Sequence, residues 1–239
     1  MSNYDPYKST WLNPDIEYLF DTDIIEYDMK DAGFSLIKQY NLISNEKIKE
    51  LELMGKGIER HIAIGKMQRE DKELSKQLME KFAILRMAFI SANKINDNDI
   101  ISVKKDAIFT ISPVKKLKFG NIIFDKKHEY SSYIRFPNIQ NLEIYYNNND
   151  IDIKGMSDQA VNRHRLYLIE FLRKYISLIE SKDPKIKRWI IKFIDDYKWG
   201  ELEEDYYLEF NNKSRDYDPV FNYKNLIIPL IQIIQQEID

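Results

Sequence analysis

Two acidic stretches carry the residues of this sequence that are best suited to chemistry. In DIIEYDMKDAGFSLI, Asp28 closes a short apolar run, and a helix-forming stretch follows within a few residues. In NDNDIISVKKDAIFTISP, Asp106 stands between two β-branched, apolar runs. Carboxylate oxygens are the ligands that hard cations such as Mg²⁺ prefer. If the two runs form neighbouring strands, Asp28 and Asp106 meet at the strand ends and make a minimal cradle for a cation.

Plainer interpretations of the same residues stay open. Asp28 and Asp106 would then each cap a local helix or turn and never meet. Asp31 is favoured as the N-cap of the helix AGFSLIKQY, since a short acidic side chain there accepts hydrogen bonds from first-turn N–H groups. A solvated helix face is the plainer interpretation of four spaced basic residues, which are Lys66, Arg69, Lys72 and Lys76.

The elements that must position the two aspartates can be predicted from periodicity. DIIEYDM predicts a strand from Ile24 to Met29, and the run around Asp106 predicts a strand, a tight bend at residues 104–106 and a return strand. A single straight strand is the alternative for the second run, and one residue of register decides which face each side chain uses. The stretch from Ile64 to Ala92 predicts one long amphipathic helix with a repeating apolar face, made of Leu74, Leu78, Phe82, Leu85 and Phe89. Its opposite face carries Lys72, Lys76, Glu80 and Arg86.

The rest of the chain changes from strands to helices. Residues 113–152 contain β-branched and aromatic runs separated by Asn, Pro and Lys turns, which predicts a small sheet. From Ser157 onward the pattern is helical, with one helix beginning at Pro184 and a last helix from about Tyr223 to Gln236. This order predicts an α+β fold with an antiparallel sheet and a helical C-terminal lobe.

The two acidic stretches resemble motifs of the DNA polymerase palm. The first motif of the family B enzymes reads Asp-x-x-Ser-Leu-Tyr-Pro-Ser-Ile-Ile, and DMKDAGFSLI is similar, with Asp28 at its Asp and Ser35 at its second Ser. The third motif, Tyr-Gly-Asp-Thr-Asp-Ser, resembles SVKKDA with Asp106 at the second Asp and Lys104 at the first. The family A pattern His-Asp-Glu fits less closely, because Ala107 replaces the Glu. The resemblance covers residues 22–160.

The resemblance implies a compact, phage-encoded protein with a palm-like sheet, divided into an N-terminal arm (1–20), a palm-like domain (21–156) and a helical lobe (157–239). Asp28 and Asp106 would bind Mg²⁺ for nucleotidyl transfer in DNA replication. The helix from Ile64 to Ala92 would stand where the fingers helix holds the incoming nucleotide. The residues expected to contact nucleotide or nucleic acid are Lys66, Arg69, Lys72, Lys76, Lys104 and Lys105.

Two further hypotheses belong to other classes. Residues 104 and 106 share a face in an extended strand, so the Lys104 ammonium would sit beside Asp106 and replace the metal. The protein would then be a catalytically inactive palm, acting as an accessory factor that binds nucleic acid, or a replication or transcription protein. A third hypothesis is a protein-binding module that uses the acidic, aromatic loop 201–223.

Composition excludes several classes of protein. The 239 residues carry a formal charge of −3 and no cysteine, so disulfides, thiol catalysis and cysteine-ligated metals are excluded. The three histidines, His61, His128 and His164, lack the spacing of a zinc site. There is no signal peptide, no apolar run of the roughly 20 residues that would span a bilayer, no P-loop and no nucleophile elbow. We expect a soluble cytoplasmic protein, in the host cytoplasm if it is phage-encoded.

Overall fold

The protein has an α+β fold. In the computed structural model, the described residues are 4–136, 142–147, 151–154, 173–174, 176–178 and 181–202. The chain divides into two compact units, Met1–Ile16 with Asp21–Ser131, and Glu17–Phe20 with Ser132–Asp239. The domain boundary predicted between residues 156 and 157 lies outside the described residues. Within the described part of the chain, no helix is both long enough and apolar enough to cross a membrane.

The first unit is built on a six-stranded antiparallel sheet. Its strands are β1 (Thr10–Leu12), β3 (Ile24–Met29), β4 (Ile100–Lys104), β5 (Ala107–Thr110), β6 (Lys118–Phe119) and β7 (Ile122–Tyr130). Their order across the sheet is β1-β4-β5-β3-β7-β6. The predicted strand at Ile24–Met29 and the predicted return of the chain after residue 104 are both confirmed. The N-terminal residues predicted as an arm supply β1, which pairs with β4.

Four helices cover one face of this sheet: α1 (Ala32–Tyr40), α2 (Asn45–Leu53), α3 (Ile58–Glu70) and α4 (Lys72–Asn93). The predicted apolar face of α4 is buried, as expected from its spacing. It packs in one core with Tyr27 and Met29 of β3. Because side chains alternate along a strand, Glu26 and Asp28 lie on the other face of β3.

The helix predicted from Ile64 to Ala92 is two helices, so that prediction was wrong at one position. Asp71 leaves the helical conformation, with φ −118° and ψ 101°. Its carboxylate accepts hydrogen bonds from the N–H groups of Glu73 at 2.9 Å and Leu74 at 3.0 Å. Asp71 therefore ends α3 and caps the start of α4, an alternative that apolar periodicity alone does not reveal.

The second unit contains a four-stranded antiparallel sheet. Its strands are β2 (Tyr18–Leu19), β8 (Ser132–Phe136), β9 (Leu142–Tyr146) and β10 (Ile151–Lys154), in the order β10-β9-β8-β2. The strands predicted in residues 113–152 are thereby confirmed across both units. The helix predicted at Pro184 is α5 (Ile186–Lys198). The predicted last helix and residues 203–223 of the predicted acidic loop lie outside the described residues.

Candidate functional site

The end of β3 and the β4–β5 turn bring the two predicted aspartates together. Asp28 lies opposite Ala107, the first residue of β5. The N–H of Met29 donates a 3.0 Å hydrogen bond to the carbonyl oxygen of Asp106. The two acidic stretches, which are 78 positions apart (106 − 28) in the sequence, therefore meet at neighbouring strand ends. The alternative, in which each aspartate caps a separate turn, does not describe this geometry.

The carboxyl group of Asp106 is partly withdrawn from solvent. Burial raises its pKa, the neighbouring Asp28 carboxylate raises it further, and Lys105 and Lys127 act in the opposite direction. The effect of Asp28 follows from the close approach of two like charges, which disfavours ionisation of Asp106. Electrostatic coupling between Asp28 and Asp106 is therefore a property of the folded chain.

An ammonium group lies against these carboxylates, and sequence reasoning missed it. Lys127 Nζ on β7 is 3.0 Å from Asp28 Oδ2 and 3.6 Å from Glu26 Oε1. Burial lowers the pKa of Lys127, but its hydrogen bond to Asp28 and the charges of Asp28, Glu26 and Asp106 outweigh burial, so its pKa is raised. We call Glu26, Asp28, Asp106 and Lys127 the carboxylate–lysine cluster.

Lys127 lies at a β-bulge of β7. Glu26 pairs with His128 and Tyr27 pairs with Lys126, so Lys127 is the extra residue of β7 at this point. A bulge of this kind turns a side chain away from the regular alternation of the strand. The sequence analysis expected Lys104 to supply the ammonium beside Asp106, but the largest opposing charges there are Lys105 and Lys127.

The coordination that the carboxylate–lysine cluster offers does not match the one that Mg²⁺ requires. This cation demands near-octahedral oxygen coordination, whereas Lys127 occupies an oxygen of Asp28 with a hydrogen bond. Among the described residues, no group of three or more His, Cys, Asp or Glu side chains could hold a metal. The donor set does not fit Mg²⁺ while Lys127 is charged and in place.

A cavity of about 130 Å³ adjoins Asp106. It is lined by residues of both acidic stretches and of α3, among them Asp31, Gly33, His61, Gln68, Lys105 and Asp106. Ligand pockets commonly measure about 300–1,000 Å³, and a cavity of about 150 Å³ holds a single benzene ring. The cavity is therefore too small for a nucleotide.

Asp31 has a different role from the one that its position suggests. It stands at the N-cap of α1 with φ 49° and ψ 47°, but its side chain makes no capping hydrogen bond. Its carboxylate instead accepts a hydrogen bond from the buried guanidinium of Arg60, which lies 4.3 Å from the centre of the Phe34 ring. The predicted N-cap position of Asp31 is confirmed, but its side chain does not cap the helix, because this long-range charged contact takes the place of the local one.

The β4–β5 turn is held from the other side by Arg86. This residue was predicted on the exposed face of the helix, but it is fully buried. Its guanidinium donates hydrogen bonds to the carbonyl oxygens of Pro6, Lys8 and Lys105. The N–H of Lys105 in turn donates to the carbonyl of Ser9. Arg86 thus fastens the N-terminal strand region to the turn that carries Asp106.

The predicted phosphate-binding residues are mostly distant from this cavity. Lys105 lines it, and Lys104 lies in β4 opposite Thr10 and Ala107. Four others are exposed on α3 and α4 and do not line the cavity: Lys66, Arg69, Lys72 and Lys76. Lys66 Nζ is 3.8 Å from Glu70 Oε1, so part of this charge is already paired.

A protein-family model described as Bacteriophage PBS1 gene 130 protein matches residues 1–234. No curated protein matches the chain.

Proposed function

Since the chain belongs to the family described as Bacteriophage PBS1 gene 130 protein, we propose that it is a phage accessory protein of nucleic-acid metabolism, with a palm-like but catalytically inactive site. The observation that carries the proposal is the position of Lys127, 3.0 Å from Asp28 and 3.6 Å from Glu26. The ammonium stands where the polymerase resemblance requires a divalent cation.

Charge balance supports an inactive site. Glu26 is 2% exposed, and its carboxylate needs a counter-ion or hydrogen-bond donors to remain charged at that depth. Lys127 supplies one, and the Tyr130 hydroxyl donates a 3.4 Å hydrogen bond to Glu26. Burial and the neighbouring Asp28 charge raise the pKa of Asp106, so its ionised form is less favourable than that of an exposed aspartate. Side chains of the cluster itself therefore offset part of its negative charge.

The small cavity supports the same proposal. A nucleotide base, sugar and phosphates need more room than about 130 Å³. The cavity would fit a bound group smaller than a nucleotide, since it combines an apolar wall of Phe34, Ile64 and Phe82 with the exposed Lys105. The nucleic acid, or a replication or transcription protein, is then bound on the surface of the protein rather than in a catalytic cleft.

Titration with divalent cations tests the inactive site. The wild-type protein is heated with increasing Mg²⁺ or Mn²⁺, and its Tm is followed by circular dichroism. We expect no cation-specific rise, because Lys127 competes for the same oxygen of Asp28. A rise of several degrees that disappears in Asp28→Asn would contradict the proposal, since ligand binding to the folded state alone raises Tm.

The competing proposal is Mg²⁺-dependent nucleotidyl transfer. The meeting of Asp28 and Asp106 at neighbouring strand ends favours it, but Lys127 would first have to leave. Incorporation of labelled nucleotides on primed DNA and RNA templates separates the two proposals. We expect none above the level of Asp28→Ala and Asp106→Ala, and metal-dependent incorporation that both changes abolish would establish catalysis.

A further inference from the structure

A second basic surface lies outside the residues that the polymerase resemblance selected. Lys115, Lys116 and Lys118 are exposed in the segment between β5 and β7, and Lys94 is exposed just after α4. Within the described part of the chain, none of these four ammonium groups has a carboxylate within salt-bridge distance. Residues 111–119 contain three lysines and no acidic residue. We call Lys115, Lys116 and Lys118 with their connecting backbone the lysine loop.

The backbone of the lysine loop is held by Asn93 at the end of α4. The Asn93 side-chain oxygen accepts hydrogen bonds from the N–H groups of Lys115 at 3.0 Å and Lys116 at 2.7 Å. Its amide nitrogen donates to the carbonyl oxygens of Lys116 and Phe89, both at 2.9 Å. One side chain therefore ties the loop to the helix with three hydrogen bonds.

Apolar contacts hold the other side of the loop. Val114, Leu117 and Phe119 pack against the core, and the N–H of Phe124 donates a 2.9 Å hydrogen bond to the carbonyl of Leu117. The lysine side chains alternate with these anchors and extend into solvent. A fixed backbone reduces the entropy lost when the surface orders on a ligand.

The helix face that was predicted to contact nucleic acid has a different charge pattern. Lys66 is paired with Glu70, and the acidic residues Asp71, Glu73 and Glu80 alternate with the basic ones along the same helices. Mixed charges of this kind are typical of a solvated helix surface. The lysine loop has no such compensation, so its positive potential is stronger.

We propose that the lysine loop is the surface through which this protein binds the phosphate backbone of nucleic acid. The inference rests on the proposed function and deepens it by naming the contact surface. Lysine ammonium groups bind phosphates as point charges, without reading base edges. The one aromatic ring in the loop, Phe119, packs on the core and has the Lys116 ammonium 5.0 Å from its centre. Because the Phe119 ring is packed on the core, no aromatic ring at the lysine loop can stack on bases, and binding should be independent of base sequence.

A purely structural role for the lysines makes a different prediction. Positive charge near the C-terminal end of a helix stabilises the helix dipole, and Lys94, Lys115 and Lys116 lie near the end of α4. Under that interpretation, reversing their charge lowers the Tm but leaves nucleic-acid binding unchanged. The two roles are therefore separated by measuring Tm and binding on the same variants.

Fluorescence anisotropy with a labelled duplex of about 20 base pairs, over about 50–200 mM salt, tests the proposal. The test variant is K115E/K116E/K118E, and the matched control is K47E/K49E/K56E, which makes the same change in net charge on three other exposed lysines. We expect the test variant to bind at least about tenfold more weakly, with a log–log salt slope reduced by about 2.7, or about 0.9 for each lost phosphate contact. The control should stay within about twofold of the wild type. K115Q/K116Q/K118Q should show the same direction with less loss of Tm.

Each other outcome contradicts a definite statement. If the wild type binds the duplex and the loop variant binds equally well, the inference fails and the proposed function stands. Equal losses of affinity for the duplex in the loop variant and the control also overturn the inference, because the net charge of the protein, rather than the lysine loop, then explains binding. Labelled polyglutamate that binds as tightly as the duplex would assign the surface to acidic proteins instead. No binding of the duplex by the wild type contradicts both the inference and the nucleic-acid role.

Discussion

Replacement of Lys127 by methionine is the sharpest test of the carboxylate–lysine cluster. The change keeps the length of the aliphatic chain and removes only the ammonium group. Asp28 then loses a charged hydrogen bond of 3.0 Å, and Glu26 loses a counter-ion at 3.6 Å. The side chain of Glu26 is only 3% exposed, so water replaces Lys127 poorly at that carboxylate.

The magnitude follows from exposure. A hydrogen bond to a charged group contributes about 1.5–3 kcal/mol, but the Lys127 side chain is 48% exposed, and solvent screening reduces the value toward about 1 kcal/mol. The uncompensated Glu26 adds to the loss. We expect Lys127→Met to lower the free energy of unfolding by about 1–2 kcal/mol, which lowers the Tm by about 2–8 °C in a chain of this size.

Urea denaturation of a double-mutant cycle checks this value. Asp28→Asn in the Lys127→Met background should restore part of the loss, and the coupling energy of the pair should be about 1 kcal/mol. Lys126→Met is the matched control: Lys126 is the preceding residue, and its ammonium pairs with the exposed Glu129, so this substitution should destabilise the protein clearly less than Lys127→Met does. Equal effects of the two substitutions, or a coupling energy near zero, would refute the reasoning.

The pH dependence gives a second readout for the same pair. The pKa of Lys127 is raised in the folded state above its ordinary value of 10.5. The stability that it contributes is therefore fully present below pH 10.5 and is lost as the pH rises through the folded pKa. The difference between wild type and Lys127→Met should stay constant from about pH 6 to pH 9 and shrink above about pH 10.5.

Three further substitutions probe other parts of the first unit. The pKa of Asp106 in the folded state lies above its ordinary value of 3.8, so its contribution to stability is present below pH 3.8 and is lost as the pH rises through the folded pKa. Urea denaturation of Asp106→Asn at a series of pH values should lack this decline. A pH profile identical to that of the wild type would contradict the burial of the carboxyl. Asp71→Ala should cost about 1 kcal/mol in thermal denaturation through loss of the α4 cap, with Asp71→Ser close to wild type. Asp31→Ala should cost about 3–5 kcal/mol because Arg60 is left buried and unpaired. The double variant with Arg60→Met should recover part of that loss, and a purely additive result would show that the pair is not coupled.

Local pattern was sufficient for the elements that hold the aspartates. The sequence of β3 is a β-branched run, and the apolar residues of α4 keep a helical spacing along the whole helix. Both the strand and the buried helix face are present as predicted. The break at Asp71 was missed because an aspartate is compatible with an exposed helix position and with a cap. Whether Asp71 continues the helix or caps the next one depends on how the helices on both sides of it pack, as well as on its own preference for caps. Arg86 was missed for a similar reason, since its burial depends on carbonyl groups about 80 residues away in the N-terminal region.

The charge that decides the chemistry of the cluster could not be predicted from a local pattern. Lys127 reaches Asp28 through a pairing of strands 99 residues apart, at a point where one extra residue in β7 shifts the register between Glu26 and Tyr27. A shift of one residue exchanges the two faces of a strand. Which lysine of β7 faces the carboxylates therefore depends on the exact register of this pairing, which a local pattern does not reveal.

The meeting of Asp28 and Asp106 is therefore not sufficient for metal chemistry. Two carboxylates at adjacent strand ends make a seat for a cation, but the identity of the cation depends on what the third strand presents. In this chain β7 presents Lys127, whose raised pKa keeps it charged, while burial and the charge of Asp28 favour protonation of Asp106. The charge of Lys127 offsets part of the negative charge that would attract Mg²⁺, and burial makes the ionised form of Asp106 less favourable. Under the proposed function, nucleic acid is bound at a separate surface, where the lysine loop supplies positive charge on a backbone held by Asn93.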